Sequence, residues 1–175
     1  MKDTFRAWQV QEVGSSYELN LIEAHLDDLP KGEVLIRVAY SSLNYKDTLS
    51  ASGHRGITRT YPHVPGVDAS GWIESSDSSL FKKGDRVLVT GFDLGMNTWG
   101  GFSEMIRVPA DWVLPCPSAW SLEDGMVLGT AGFTAGQSWE IFQQLGLEPN
   151  HGEVLVTGAT GGVGSVSVAL LASQG

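Results

Sequence analysis

The sequence predicts mixed α and β structure: a small β-barrel or sandwich over residues 1–120, followed by the start of an α/β domain over residues 121–175 that is incomplete in this chain. Three observations carry that expectation. Turn signals divide the first hundred or so residues into short β-rich runs. The texture turns helical after Pro115-Cys-Pro-Ser. Near the end, an apolar run breaks into a cluster of glycines and then into a second helix-like segment.

The β-rich runs are residues 5–10, 17–23, 34–42, 70–74, 86–90 and 102–109, separated by strings such as Pro30-Lys-Gly, Pro65-Gly and Lys83-Gly-Asp. Proline fixes φ and glycine reaches positive φ, so these strings turn the chain. Short strands at such spacing suggest a barrel or sandwich. Ser121 followed by Asp124 reads as a helix cap. Residues 131–145 carry good helix formers with apolar positions at helical spacing, ended by Gly146. The domain boundary is therefore expected within 115–125. Residues 154–157, β-branched and uncharged, read as a short buried strand, and residues 163–172 as a helix start.

Between those last two segments runs Val154-Leu-Val-Thr-Gly-Ala-Thr-Gly-Gly-Val-Gly164. A strand that reverses into a helix within a few residues needs positive φ, which glycine reaches without steric cost. Missing Cβ atoms also let a pyrophosphate approach the unpaired N–H groups and positive dipole end of the helix. Dinucleotide-binding turns read G-x-G-x-x-G; here Ala159, Gly161 and Gly164 take the three positions, so the first glycine is replaced. Thr160, Gly161, Gly162, Val163 and Gly164 are the expected cofactor-binding residues. A tight turn with no ligand is the alternative, and the strand-before, helix-after context favours the nucleotide. The residue that selects between NADPH and NADH is expected about 20 residues further on, past Gly175.

Composition is that of a globular protein, 42% hydrophobic with 22 glycines in 175 residues. A net charge of −9 argues against nucleic acid, whose phosphates call for clustered Lys and Arg. A single cysteine, Cys116, excludes an internal disulfide and multi-cysteine zinc frameworks and fits a reducing compartment. The N-terminus lacks the apolar run of a signal peptide, and nothing approaches about 18 uninterrupted apolar residues. The expectation is a cytoplasmic protein with no membrane partner.

Five strings then carry a resemblance. Val38-Ala-Tyr-Ser-Ser-Leu-Asn-Tyr-Lys-Asp47, Pro65-Gly-Val-Asp-Ala-Ser-Gly71, Trp99-Gly-Gly-Phe-Ser-Glu104, Leu128-Gly-Thr-Ala-Gly-Phe-Thr-Ala135 and Val156-Thr-Gly-Ala-Thr-Gly-Gly-Val-Gly164 follow the order found in medium-chain dehydrogenases/reductases. The set resembles the zinc-free, quinone oxidoreductase-like branch that includes acryloyl-CoA reductase. The resemblance implies a GroES-like β domain and a Rossmann domain with NADPH in the cleft between them, a small-molecule substrate (enoyl-CoA or quinone), and a homodimer in the full-length protein.

Zinc enzymes of that superfamily place the catalytic metal on Cys, His and Cys or Asp. The matching positions are Asn44, Val67 and a residue near Thr130 or Ala131, none of which supplies such a ligand. His25, His54, His63 and His151 lack metal-motif spacing and, with Cys116, read as surface or packing residues. Without zinc the Lewis-acid route to alcohol oxidation is closed. The remaining chemistry is hydride transfer to an acceptor polarised by hydrogen bonds, an activated C=C bond or a quinone.

By resemblance Asn44 and Tyr45 face the nicotinamide and are the catalytic candidates. Asn44 is expected to donate its amide N–H to a developing oxyanion, and Tyr45 to pack on the nicotinamide ribose or ring or to deliver a proton; the alternative for both is a strand-end turn. Thr130 and Thr134, flanking Gly132, are expected either to bind the nicotinamide amide or to cap a helix. Lys46 and Asp47 read as an ion pair or a turn fixing Tyr45, and Asp68 as a backbone hydrogen-bond partner. Phe92 and Trp99 read as cleft-lining or packing aromatics, and His54, Arg55 and Arg59 as a basic loop able to meet a coenzyme A phosphate. Two functions stay open: an NADPH-dependent reductase of an activated double bond or quinone, and a catalytically idle NADPH-binding protein of the same fold.

Overall fold

The computed structural model describes residues 3–174. They fall into two compact units that divide between Met126 and Val127.

In the first unit β1 (Thr4–Val13) and β2 (Ser16–His25) form an antiparallel hairpin. A five-stranded sheet runs in the order β6-β3-β4-β5-β7, every neighbour antiparallel. Its strands are β3 (Val34–Tyr40), β4 (Asp68–Ser76), β5 (Arg86–Thr90), β6 (Met105–Val108) and β7 (Val113–Pro115). Side chains alternate across a strand, and that period builds the core. Val34 and Ile36 on β3, Val87 and Val89 on β5, and Ile106 and Val108 on β6 bury together with Ala69, Ile73 and Leu94. Leu35 and Met105 have the opposite parity and join Phe5, Ala7, Ala24 and Val64 in a second cluster under the hairpin. The hairpin is fastened by backbone bonds: the Trp8 N–H donates to the Phe102 carbonyl at 2.8 Å, and Val10 and His63 exchange N–H···O bonds of 2.7 and 2.9 Å. Residues 34–42 were expected as one strand, yet pairing ends at Tyr40, because a short helix, α1 (Tyr45–Ala51), starts soon after.

Helix α2 (Leu122–Gln144) runs from just after Ser121 through most of the 131–145 stretch. Its cap is the Ser121/Asp124 pair read from sequence: the Asp124 N–H donates to Ser121 Oγ at 3.0 Å and the Ser121 N–H to Asp124 Oδ2 at 2.8 Å. The Ser121 N–H and hydroxyl hold the Asp124 carboxyl below its ordinary value. The helix breaks at Gly129, whose φ of 46° and ψ of −146° suit only glycine. Gly146, with φ of 76°, follows its end.

In the second unit the part of α2 after the kink lies beside α3 (Gly162–Gln174); Trp139 and Phe142 of α2 and Leu170 and Leu171 of α3 line one narrow void of about 20 Å³. The buried strand expected over residues 154–157 is absent, and Leu155 is 88% exposed. A strand exists by pairing its N–H and C=O groups with a neighbour, and no described strand lies against this run. Among the described residues no helix is long and apolar enough to cross a membrane.

Candidate functional site

The link from β3 to α1 carries the first pair of candidates. Asn44 caps α1 in extended conformation, and Asp47 closes the box by accepting the Asn44 N–H on Oδ2 at 2.7 Å. Asp47 is buried, and its Oδ1 accepts the N–H groups of Gly66 and Val67 at 3.0 and 3.1 Å. One carboxylate thus ties the first turn of α1 to the loop before β4. Burial pushes the Asp47 carboxyl above its ordinary value, against the pull of these three N–H groups. Of the two expectations for Lys46-Asp47, the turn is what forms. The ion pair is not, because the Asp47 oxygens point inward at amides while Lys46 is exposed.

Asp68, fully buried at the start of β4, accepts from side chains: Ser42 Oγ and Asn44 Nδ2 (3.0 Å) donate to Oδ2, and Thr90 Oγ1 donates to Oδ1. Asn44 Nδ2 also donates to Ser42 Oγ at 2.8 Å. Both amide hydrogens of Asn44 are engaged inside the protein, so donating to an outside oxyanion requires releasing one of them. Tyr45, the first residue of α1, is 78% exposed, and its carbonyl accepts the Thr48 hydroxyl at 2.7 Å. Its ring and hydroxyl are therefore open to a ligand.

The second unit holds the glycine turn. Positive φ falls on Gly158 (63°), outside the three positions matched to the dinucleotide pattern. The Gly161 N–H donates back to the Gly158 carbonyl at 2.9 Å, and α3 begins one residue later. The glycines are not equivalent. A Cβ on Gly164 would lie 2.2 Å from the Gly158 carbonyl oxygen, so packing of the helix on its own turn demands glycine there. A Cβ on Gly161 meets only that same oxygen, at 3.3 Å, so the fold has nearly room for a side chain at this exposed position. The first N–H groups of α3, from Gly162, Val163 and Gly164, have no intrahelical acceptor by helix geometry and are donors of the kind that can meet an anion. Thr160 is exposed beside them. A Cβ on Gly162 would lie 3.2 Å from Ala131 Cβ, which sets this end of α3 against the start of the post-kink helix. Thr130 and Thr134 lie one turn apart there, within α2 rather than at its cap, and Thr134 Oγ1 donates to the Thr130 carbonyl at 2.8 Å.

Of the other candidates, Trp99 packs against the hairpin core. Phe92 is 60% exposed, adopts φ of 53° and stacks on Trp112 at 5.3 Å between centroids. Arg55 is held by both Glu12 carboxylate oxygens at 2.8 and 2.7 Å and sits over the Tyr61 and Tyr17 rings, so its guanidinium already has an anion. His63 is a packing residue, its Nε2 at 2.9 Å from the Gly95 carbonyl, and burial holds its pKa below the ordinary value. Among the described residues no three His, Cys, Asp or Glu side chains gather to hold a metal ion. Sequence reasoning missed Ser42 and Thr90, whose only signal was a hydroxyl near the end of a β-rich run.

The first unit carries Tyr45 at its β3–α1 link, and in the second unit a helix opens on glycines. The family model described as the alcohol dehydrogenase GroES-like domain matches residues 30–118, and the chain belongs to this family, within the medium-chain dehydrogenase/reductase superfamily. It is 45% identical over 175 residues to the putative quinone oxidoreductase YhfP of Bacillus subtilis, covering 100% of this chain and 53% of that protein. It is 49% identical over 150 residues to the acrylyl-CoA reductase AcuI of Ruegeria pomeroyi, covering 86% of this chain and 46% of that one. The crystal structure of the yhdH oxidoreductase from Salmonella enterica in complex with NADP matches with a TM-score of 0.94 at 40% identity, over 97% of this chain and 52% of that one. That of YhfP with NAD bound matches with a TM-score of 0.92, over 96% and 51%. The chain spans about half the length of the relatives it matches.

Proposed function

We propose that the protein is an NADPH-dependent oxidoreductase that reduces an activated double bond of the acrylyl-CoA type, or a quinone, without a metal. The observation that carries the reading is the glycine turn at the start of α3, where a fold-tolerated position, Gly161, nevertheless lacks a side chain. The N–H groups of Gly162, Val163 and Gly164 hold the pyrophosphate, and Gly161 leaves it room to approach. When bound, NADPH supplies a hydride from nicotinamide C4 to the β-carbon of the enoyl thioester, or to the quinone. Thr130 and Thr134 orient the nicotinamide carboxamide. Tyr45 packs on the nicotinamide ribose or ring, or delivers the proton to the α-carbon. Asn44, clamped by Asp47 through its backbone and by Asp68 through its amide, fixes the placement of Tyr45; one of its amide hydrogens, if released, meets the thioester oxygen. Zinc has no place in this scheme, since Asn44 and Val67 carry an amide and an alkyl group where zinc enzymes carry ligands. The relatives' names support the substrate class, and the NADP- and NAD-bound neighbours support a nicotinamide cofactor. A homodimer in the cytoplasm completes the proposal.

The test is oxidation of NADPH, and separately of NADH, by the full-length protein with acrylyl-CoA and with a quinone, with and without EDTA. The reading predicts turnover with NADPH on at least one acceptor, indifferent to the chelator. Loss of activity in EDTA with recovery on zinc overturns the metal-free mechanism. Binding of NADPH without turnover on either acceptor leaves the catalytically idle protein as the correct reading.

A further inference from the structure

A buried carboxylate joins two segments of the first unit that each end in an exposed aromatic ring. Asp68 Oδ2 takes Ser42 and Asn44 of the link that delivers Tyr45, and Oδ1 takes Thr90, the last residue of β5 and two residues before Phe92. Phe92 holds a φ of 53°, a conformation that a non-glycine residue keeps only where its surroundings impose it. A fully buried carboxylate is expensive to retain, and an apolar side chain fills such a position better when packing is all that is required. What a carboxylate offers is acceptance in two directions at short reach, here toward the β3–α1 link on one side and the end of β5 on the other.

We propose that Asp68 is a positioning residue: it fixes the Ser42–Asn44 link and the end of β5 against each other, so that Tyr45 and Phe92 keep one placement relative to the substrate. Its catalytic half rests on the oxidoreductase reading above. Asp68 touches no reacting atom and acts through Tyr45.

The experiment compares the full-length protein with Asp68→Ala, Asp68→Asn and Thr90→Val. Thr90→Val keeps side-chain shape and cuts only one arm, which guards against a variant that fails to fold. Hydrogen exchange is read over residues 42–48 and 90–94, and kcat and KM with NADPH and acrylyl-CoA are measured alongside. We expect Thr90→Val to speed exchange in both segments, including the one on the far side of the carboxylate, with β1–β2 unaffected. We expect kcat to fall about tenfold or more in Asp68→Ala and several-fold in Thr90→Val, with the KM for NADPH changed less than about twofold, since misplacement by about 1 Å can cost about 100-fold. In a Tyr45→Ala background the Asp68 effect should largely vanish, the non-additivity expected of a residue acting through another. Exchange confined to 90–94 in Thr90→Val, an unchanged kcat, or additive losses with Tyr45→Ala overturns the proposal. Absence of turnover in the unsubstituted protein sinks the oxidoreductase reading and with it the catalytic half, while the exchange pattern still decides the coupling by itself.

Discussion

The two units put similar apolar content to different use. The first closes two clusters around one sheet, with Ile36, Ile73, Leu94 and Ile106 sealed from solvent. The second leaves Leu145 78% and Leu155 88% exposed, and its apolar run at 154–157 forms no strand. Helices carry their hydrogen bonds within themselves, so α3 and the part of α2 after Gly129 form with no described sheet in their unit, whereas a strand needs a neighbour. The first unit holds its candidate residues by buried side-chain bonds, whereas the candidate residues of the second offer mostly backbone.

The largest expected effect breaks or upholds that contrast. Ile73→Ala should cost about 2–5 kcal/mol in urea unfolding, from lost burial and a residual cavity, while Leu155→Ala in the same chain should stay within about 0.5 kcal/mol. Comparable costs would show that the second unit is packed as tightly as the first. Next comes Asp47→Ala, which strands three N–H groups; a loss of about 3 kcal/mol is expected, and a loss below about 0.5 kcal/mol would mean that water replaces the carboxylate at no penalty. Ser121→Ala removes the α2 cap and should cost about 1 kcal/mol, a figure that a thermal melt can check.

The smallest effect is one of pH. Burial lowers the His63 pKa in the folded state, so the folded form binds fewer protons than the unfolded one. The stabilisation is complete above the unfolded value of about 6.5 and is lost as pH falls through the depressed folded value. Urea unfolding of His63→Gln should show a flatter decline over that acidic window than the parent; identical slopes would assign the decline to other groups.

Most strands were legible because turn signals bound short β-rich runs: β5 falls on 86–90, directly after Lys83-Gly-Asp. β7, three residues long, has no pattern to read, and α1 hides behind a strand because seven residues hold fewer than two complete turns. The run 154–157 has the right residues for a strand, but pairing is a property of the neighbour. At the site, the glycine turn was legible as spacing, although which glycine the packing requires (Gly164) and which it spares (Gly161) depends on distances that sequence does not carry. The burial of Asp47 and Asp68 was not legible for a related reason. Carboxylates default to the surface, and their donors lie about 20 residues away along the chain, at Gly66, Val67, Thr90, Ser42 and Asn44.

The central claim, that the start of α3 receives the phosphates of NADPH, is tested most directly by titrating NADPH into the full-length protein and its Gly161→Val variant. Because the fold nearly accommodates a Cβ at 161, circular dichroism should be unchanged while affinity falls at least tenfold, the branched side chain standing where the pyrophosphate approaches. Equal affinity in a folded variant would contradict the account and put the phosphates elsewhere.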